Sequence, residues 1–322
     1  MISYAQNFED VILNRVFRDR DEGFYIDVGA ADPVVDSVTK FFYDEGWSGI
    51  NIEPNEWFYN KLVRDRPRDI NLNVALGERE EEKELYLFER IGNSTFEEAS
   101  RDRYIESGFE TKPVMVKVTT LANICEQYVS GPIDFLKIDC EGWEKFVVKG
   151  ADWDRFRPTV LIIEATEPGT ANSAWGEWEP FLMDGARYDM VYFDGLNRYY
   201  LSREAADQRS HFELPPNVHD DFRFYATVAA EQANGDLKRV NEALQQTNQV
   251  LQQDRERLQA QITELEERIR SDNDEIERLR SDLAAAKALA LQLDDKLLKT
   301  RLWVGQLSQE LAASRAQPRA QP

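Results

Sequence analysis

The ten residues Phe24–Pro33, FYIDVGAADP, constrain the fold of this chain more than any other stretch. Phe24, Tyr25, Ile26 and Val28 make a short β-rich run with Asp27 inside it. Gly29 ends the run, two alanines follow, and Asp32–Pro33 turns the chain. A helix-period stretch then extends from Val34 to Tyr43. Strand, tight glycine turn and helix in that order predict the first unit of a doubly wound α/β sheet. The turn falls at the carboxyl end of a parallel strand, where open α/β sheets bind their ligands.

A second strand, Gly49–Ile52, ends in Glu53–Pro54. An acidic residue at the end of the second strand of a nucleotide-binding βαβ unit can accept both ribose hydroxyls. Gly29 stands alone, so the G-x-G-x-x-G pattern that lets a backbone approach a pyrophosphate is missing. A nucleoside without a pyrophosphate needs no such pattern, and S-adenosylmethionine (SAM) meets that description. Asp27, Gly29, Ala30, Asp32 and Glu53 are therefore the candidate cofactor-binding residues. The plain alternative is an ordinary βαβ turn with a surface Glu.

Charge is unevenly divided. Met1–Gln232 holds 45 acids against 25 bases, whereas the chain from Ala233 holds 15 against 14. A domain that acidic lacks the basic footprint of a nucleic-acid binder and is repelled by anionic membrane surfaces. Cys125 and Cys140 have no metal-type spacing and are expected to be buried free thiols of a reducing compartment. The opening MISYAQNFED has no basic-then-apolar leader, and no apolar run reaches the length of a membrane span, so a cytoplasmic protein without membrane insertion is expected.

Ser3–Phe17 reads as a helix with Ser3 and Gln6 as a capping box. Gln6, Glu9 and Asp10 can then line a pocket at the strand ends, if that helix is not simply a cover for the sheet. A helix over Asn55–Arg66 leads to a third strand, Ile70–Ala75, in which Asn73 is positioned to read an adenine edge or to sit on the sheet surface. Glu80–Glu84 reads as a charged turn and Leu85–Phe88 as a short strand. Ile91–Thr111 reads as an insertion able to act as an acceptor lid. Val114–Val118 is a strand and Thr120–Tyr128 a helix.

The second informative stretch is Ile133–Gly150, IDFLKIDCEGWEKFVVKG. Phe135, Leu136 and Ile138 predict a buried parallel strand with Asp139 and Glu141 at its carboxyl end. Two carboxylates there are costly unless they serve a site or cap the next helix. Pro158–Glu164 is a fifth strand, again ending in an acid, and Ala174–Gly185 reads as a helix. Tyr188–Phe193 and Tyr199–Leu201 flank a turn and predict an antiparallel pair at the sheet edge. A mostly parallel Rossmann-like sheet with an antiparallel closing strand is the pattern of SAM-dependent methyltransferases.

DVGA at Asp27–Ala30, Glu53–Pro54, NVALGE at Asn73–Glu78 and LKIDCEGWE at Leu136–Glu144 together resemble the FkbM-type SAM-dependent methyltransferases. The opening Ser3–Leu13 resembles the leader that precedes this domain in bacterial polysaccharide-cluster members. The resemblance covers about Ser3–Glu164, more softly to Leu201. It implies SAM as methyl donor and mostly O-methylation of sugars or secondary metabolites. Many relatives carry Asn then Gly after DVGA, where this chain has Ala31–Asp32–Pro33.

Methyl transfer to oxygen requires alignment of donor and acceptor and removal of the hydroxyl proton. His211 and His219 both fall in a late loop, so a carboxylate base is expected: Asp139 ahead of Glu141 and Glu164. No metal ligand is assigned, although the sequence leaves a divalent ion at those three acids open. The alternative to an enzyme on a sugar or glycolipid acceptor is a non-catalytic methyltransferase-like scaffold that organises glycan-assembly partners.

From Leu237 the character changes. Leu237, Leu244, Leu251, Leu258 and Leu265 recur every seven residues as d positions, and Ile262, Ile269, Ile276 and Leu283 occupy a. A heptad sustained over about ten repeats predicts a coiled coil, and Ile at a with Leu at d favours parallel dimers. The expected organisation is a methyltransferase domain over residues 1–232, a coil over 233–313 whose heptad run from Leu237 to Leu311 is about 110 Å long, and a disordered tail over 314–322.

Overall fold

The computed structural model describes residues 1–88 and 94–315, the last five as backbone only. Met1–Ala233 forms one compact unit, and a second begins at Asn234. The chain opens with strand β1 (Ile2–Ser3), helix α1 (Glu9–Phe17), β2 (Phe24–Val28), α2 (Lys40–Asp44), β3 (Ser48–Ile52), α3 (Glu56–Asp65), β4 (Ile70–Leu72) and β5 (Ala75–Leu76). It continues through β6 (Glu81–Phe88), α4 (Glu98–Glu106), β7 (Thr111–Thr119), α5 (Leu121–Tyr128), β8 (Phe135–Ile138), α6 (Glu144–Lys149) and β9 (Val160–Glu164). Strands β10 (Tyr188–Phe193), β11 (Asn197–Ser202) and β12 (Arg223–Phe224) complete the domain, and α7 (Tyr225–Arg315) follows.

The main sheet has seven strands in the order β10-β11-β9-β8-β2-β3-β4. The five from β9 to β4 are parallel, and β11 lies antiparallel between β9 and β10. This is the mostly parallel sheet with an antiparallel closing strand that the sequence predicts. Alternation within the strands supplies two cores. Ile26, Val28, Leu136 and Ile138 pack with Leu121, Ile124, Val147 and Val148 on one face. Tyr25 and Phe135 pack with Ile12, Leu13, Phe42 and Trp47 on the other. Burying both faces of the strands makes them near-continuously apolar.

Several expectations are corrected. Ser3 is not a helix cap: it pairs with Phe224 in a two-stranded sheet and its Oγ donates to Asp10 Oδ1 at 2.6 Å, so α1 starts only at Glu9. The stretch from Val34 is helical only over Lys40–Asp44. Upstream, Ala31 and Asp36 take positive φ of 47° and 56°, and the buried Arg66 donates to Pro33 O (2.6 Å) and Ser37 Oγ (3.1 Å), holding the loop open. The third strand stops at Leu72; Ala75–Leu76 joins β6 and β7 in a separate three-stranded sheet. Glu81–Glu84 is no turn but the start of β6, where Glu82 faces Lys117 across an antiparallel ladder. The segment over 174–185 forms a short 3₁₀ turn, Trp175–Glu177, and a π-turn, Phe181–Gly185, in place of one α-helix. Residues 91–93 of the insertion and 316–322 of the tail lie outside the described residues, while α7 runs through Arg315. No helix among the described residues is long and apolar enough to cross a membrane.

Candidate active site

Three strand ends converge on the site. The glycine turn after β2 is laced to its neighbours: Gly29 N donates to Ile52 O at 3.0 Å, and Asp139 N donates to Val28 O at 3.0 Å. Gly29 has φ +80°, and a Cβ there would lie 1.8 Å from Asp139 O. Only glycine allows this approach of the β2 turn to the β8 loop. A cavity of about 540 Å³ opens above the turn. Its lining includes Gly29, Ala30, Asp32, Glu53, Asp139 and Glu141. That volume is in the range of small-molecule sites.

Glu53 ties two elements together. Its Oε2 accepts Ala31 N at 2.9 Å and its Oε1 accepts Asn55 N at 2.7 Å, joining the glycine turn to the start of α3. Asn55 caps that helix through Trp57 N at 3.0 Å. Each Glu53 oxygen keeps a second lone pair for a ligand. Burial pushes the carboxyl up to about 7, against the two backbone bonds that favour its charge. Asp32 accepts Val34 N and Val35 N at 2.9 and 3.1 Å and Lys61 Nζ at 2.7 Å. Burial works to raise its pKa, but these bonds outweigh it and hold the group below its ordinary value.

Asp27 lies beneath the floor, 1 % exposed, and is not part of the cavity lining. It stands opposite Lys137 on β8 and Asn51 on β3 in the parallel register, in a polar row continued by Asn71 on β4. Its Oδ2 accepts Thr39 Oγ1 at 3.1 Å. Lys137, absent from the sequence-derived site, is the cation at the centre. Its Nζ is 3.0 Å from Asp139 Oδ2 and 3.9 Å from Asp27 Oδ1. Burial opposes its charge, yet the Asp139 and Asp27 carboxylates hold it protonated above the usual lysine range. A lysine inside the apolar run FLKI was the signal for it.

The three acids proposed from sequence differ in environment. Asp139 faces the cavity with its side chain 30 % exposed. Glu141 also lines the cavity but takes φ +52° and accepts Tyr104 Oη at 3.2 Å. Its carbonyl accepts Thr95 Oγ1 at 2.9 Å, so the insertion is pinned to this loop. Glu164 is buried, and its Oε2 has no hydrogen-bond partner. Burial, then the neighbouring Asp139, raises the pKa of both Glu141 and Glu164. Both glutamates are thus biased toward the protonated form.

Other expected positions fall elsewhere. Asn73 is exposed and outside the cavity lining; its amide donates to Glu53 O (2.9 Å) and Pro54 O (3.0 Å) and braces the strand end. Gln6 lines the cavity, whereas Glu9 is buried and bonded to Asn197, and Asp10 to Ser3. Cys140, expected to be a buried thiol, is only partly covered and lines the cavity; both cysteines are free. His211 and His219 border a separate groove beside Arg20 and Thr159, at the amino ends of the strands. Among the described residues no group of three His, Cys, Asp or Glu is placed to hold a metal ion.

The buried acids make stability depend on pH. Burial raises Glu9 to about 7, Asp10 to about 6 and Glu53 to about 7. The folded state therefore binds protons more tightly than the unfolded chain, and stability is lost as pH rises through these values. Depressed acids such as Asp32 act only below about pH 4. The melting temperature of the domain is expected to fall between about pH 5 and pH 8. A rise over that interval, followed by circular dichroism, would contradict the assigned burial effects.

A mostly parallel sheet with one inserted antiparallel strand, and an acid-lined cavity at the parallel strand ends, defines a methyltransferase-type α/β domain. Residues 27–192, just over half of the chain, match the Methyltransferase FkbM domain, and the chain belongs to that family. No curated protein matches it.

Proposed function

We propose that this protein is a SAM-dependent O-methyltransferase acting on a sugar hydroxyl of a surface polysaccharide or glycolipid precursor. The observation that carries the proposal is the cavity that joins the glycine turn, Glu53 and Asp139. Its chemistry suits SAM. Asp32, Asp36 and Asp139 outnumber Lys61 and Lys137 and favour a cationic sulfonium, while Ile52, Phe58, Val74 and Leu76 offer an apolar wall for a purine. When bound, SAM supplies an activated methyl group.

The chain's own residues do the rest. Glu53 accepts ribose hydroxyls through its free lone pairs and fixes the turn that receives the ligand. Asp139 accepts the proton of the acceptor hydroxyl, and Lys137 holds the Asp139 carboxylate in place from behind. The acidic lining supports a neutral polyol acceptor over an anionic one.

Glu53→Ala removes charge-assisted bonds each worth about 1.5–3 kcal/mol, so SAM is expected to bind at least about tenfold more weakly. Calorimetric titration checks this; unchanged affinity removes Glu53 from the site. The reaction itself is tested with methyl-labelled SAM and a panel of sugars and lipid-linked sugars. Label recovered as a methyl ether supports the assignment. Tight SAM binding with no transfer to any hydroxyl acceptor would favour a scaffold.

A further inference from the structure

The helix α7 is continuous over 91 residues. It carries a row of large apolar side chains left uncovered among the described residues: Ile262, Leu265, Ile269, Ile276, Leu279 and Leu283 are 46–60 % exposed. These occupy a and d positions between 262 and 283, where Asp272 at d is the one exception, so they fall on one stripe of the helix. A lone helix would leave that stripe in water, and the length of the heptad run is far beyond what a single-sided surface helix needs.

We propose that α7 binds a second copy of this chain as a parallel, in-register, two-stranded coiled coil. Three observations select that occupant. The a and d residues from Leu258 to Leu307 are mostly Ile, Leu, Val or Ala, with β-branched Ile at a and Leu at d through the middle, the combination that favours two strands. In the parallel register Glu275 at g meets Arg280 at e of the partner, and Asp282 meets Lys287, so two pairs of opposite charge flank the most apolar part. Arg280 also bonds Glu277 on its own helix at 2.9 Å, a fork geometry that leaves other N–H donors free. Finally, the polar a residues Asn241, Asn248 and Arg255 all lie toward the amino end of the seam. A full-length antiparallel pair would set them against the apolar Leu297 and Val304 region, whereas the parallel register sets each Asn against its own copy, where the two amides can bond.

The register also places Arg255 against Arg255 and Asp272 against Asp272 of the second copy inside the seam, and Lys296 near Arg301. The coil is therefore weakened at these positions, and removing the Asp272 defect should tighten it.

Sedimentation equilibrium of the full chain is expected to give twice the 37.3 kDa chain mass. Leu265→Glu with Ile269→Glu is expected to give monomer. Asp272→Leu is expected to lower the dimer dissociation constant by at least about tenfold, because two facing carboxylates leave an apolar seam. Thr300→Cys, at a d position, is expected to form a disulfide-linked dimer under mild oxidation, since in-register d residues face each other. A monomeric or trimeric full chain overturns the proposal. So does a weaker dimer in Asp272→Leu, or a Thr300→Cys dimer whose introduced thiols do not cross-link.

Discussion

Asp139→Asn is expected to lower methyl-transfer turnover by about 10²–10⁴-fold, the usual contribution of a positioned general base, with SAM affinity little changed. The substitution keeps the shape of the side chain and removes its basicity. Asp139 is the carboxylate that combines a place in the cavity lining with direct contact to the Lys137 ammonium, at 3.0 Å. Glu141 and Glu164 stand close to it, but burial and the negative charge of Asp139 raise both toward the protonated state. Asp139→Asn removes the second of these causes but leaves burial, the larger one, so neither is expected to replace the base fully at neutral pH. Single-turnover rates and a SAM titration, measured on the same preparation, separate the two effects. Loss of SAM affinity in step with turnover would make Asp139 a cofactor ligand and remove it as the base.

Gly29→Ala is expected to remove SAM binding altogether and to lower the melting temperature of the domain. Two costs add. A left-handed backbone at φ +80° disfavours any L-residue by about 1–2 kcal/mol. The new Cβ would also lie 1.8 Å from Asp139 O, a backbone atom of a residue whose N–H is bonded to Val28 O on β2. Overpacking of that kind typically costs about 1–3 kcal/mol and shifts the backbone. The shift would part the β2 turn from the β8 loop, the two segments proposed to carry the cofactor cradle and the base. Gly46→Ala is the control: its φ is +102°, and a Cβ there meets nothing within 4 Å. Gly46→Ala should show the conformational cost alone, with SAM binding retained. Equal behaviour of the two variants would mean that the close approach at Gly29 has no special role.

Much of this arrangement is readable because the parallel strands are short apolar runs that end in a marker. Phe24–Val28 ends at Gly29, the strand through Ile52 ends at Glu53, and Phe135–Ile138 ends at Asp139. Strand ends are where an open α/β sheet gathers its ligand residues, so the strand ends come close to being the site. The features that sequence misses have a different cause. Lys137 and Asp27 meet only because β2 and β8, more than a hundred residues apart in the chain, pair in one register. Arg66 is buried against Pro33 O and Tyr25 Oη, a role that depends on a loop shape set by two positive-φ residues. Glu80–Glu84 reads as a turn because its charge outweighs its periodicity. As one edge of a hairpin, β6 alternates its faces, and Lys83 lies over the Trp143 ring at 5.0 Å. Asn73 reads as a ligand contact only when its strand is extended too far; past Leu72 the backbone leaves the sheet, and the amide closes the gap to Glu53 and Pro54.

The central claim is that the cavity over Gly29, Glu53 and Asp139 holds SAM. Isothermal titration of the full chain with SAM, repeated in the presence of excess S-adenosylhomocysteine, tests it most directly. One SAM per chain, displaced by S-adenosylhomocysteine and weakened at least about tenfold by Glu53→Ala, is the result expected. No saturable binding of SAM by the folded protein, or binding that Glu53→Ala leaves untouched, would contradict it.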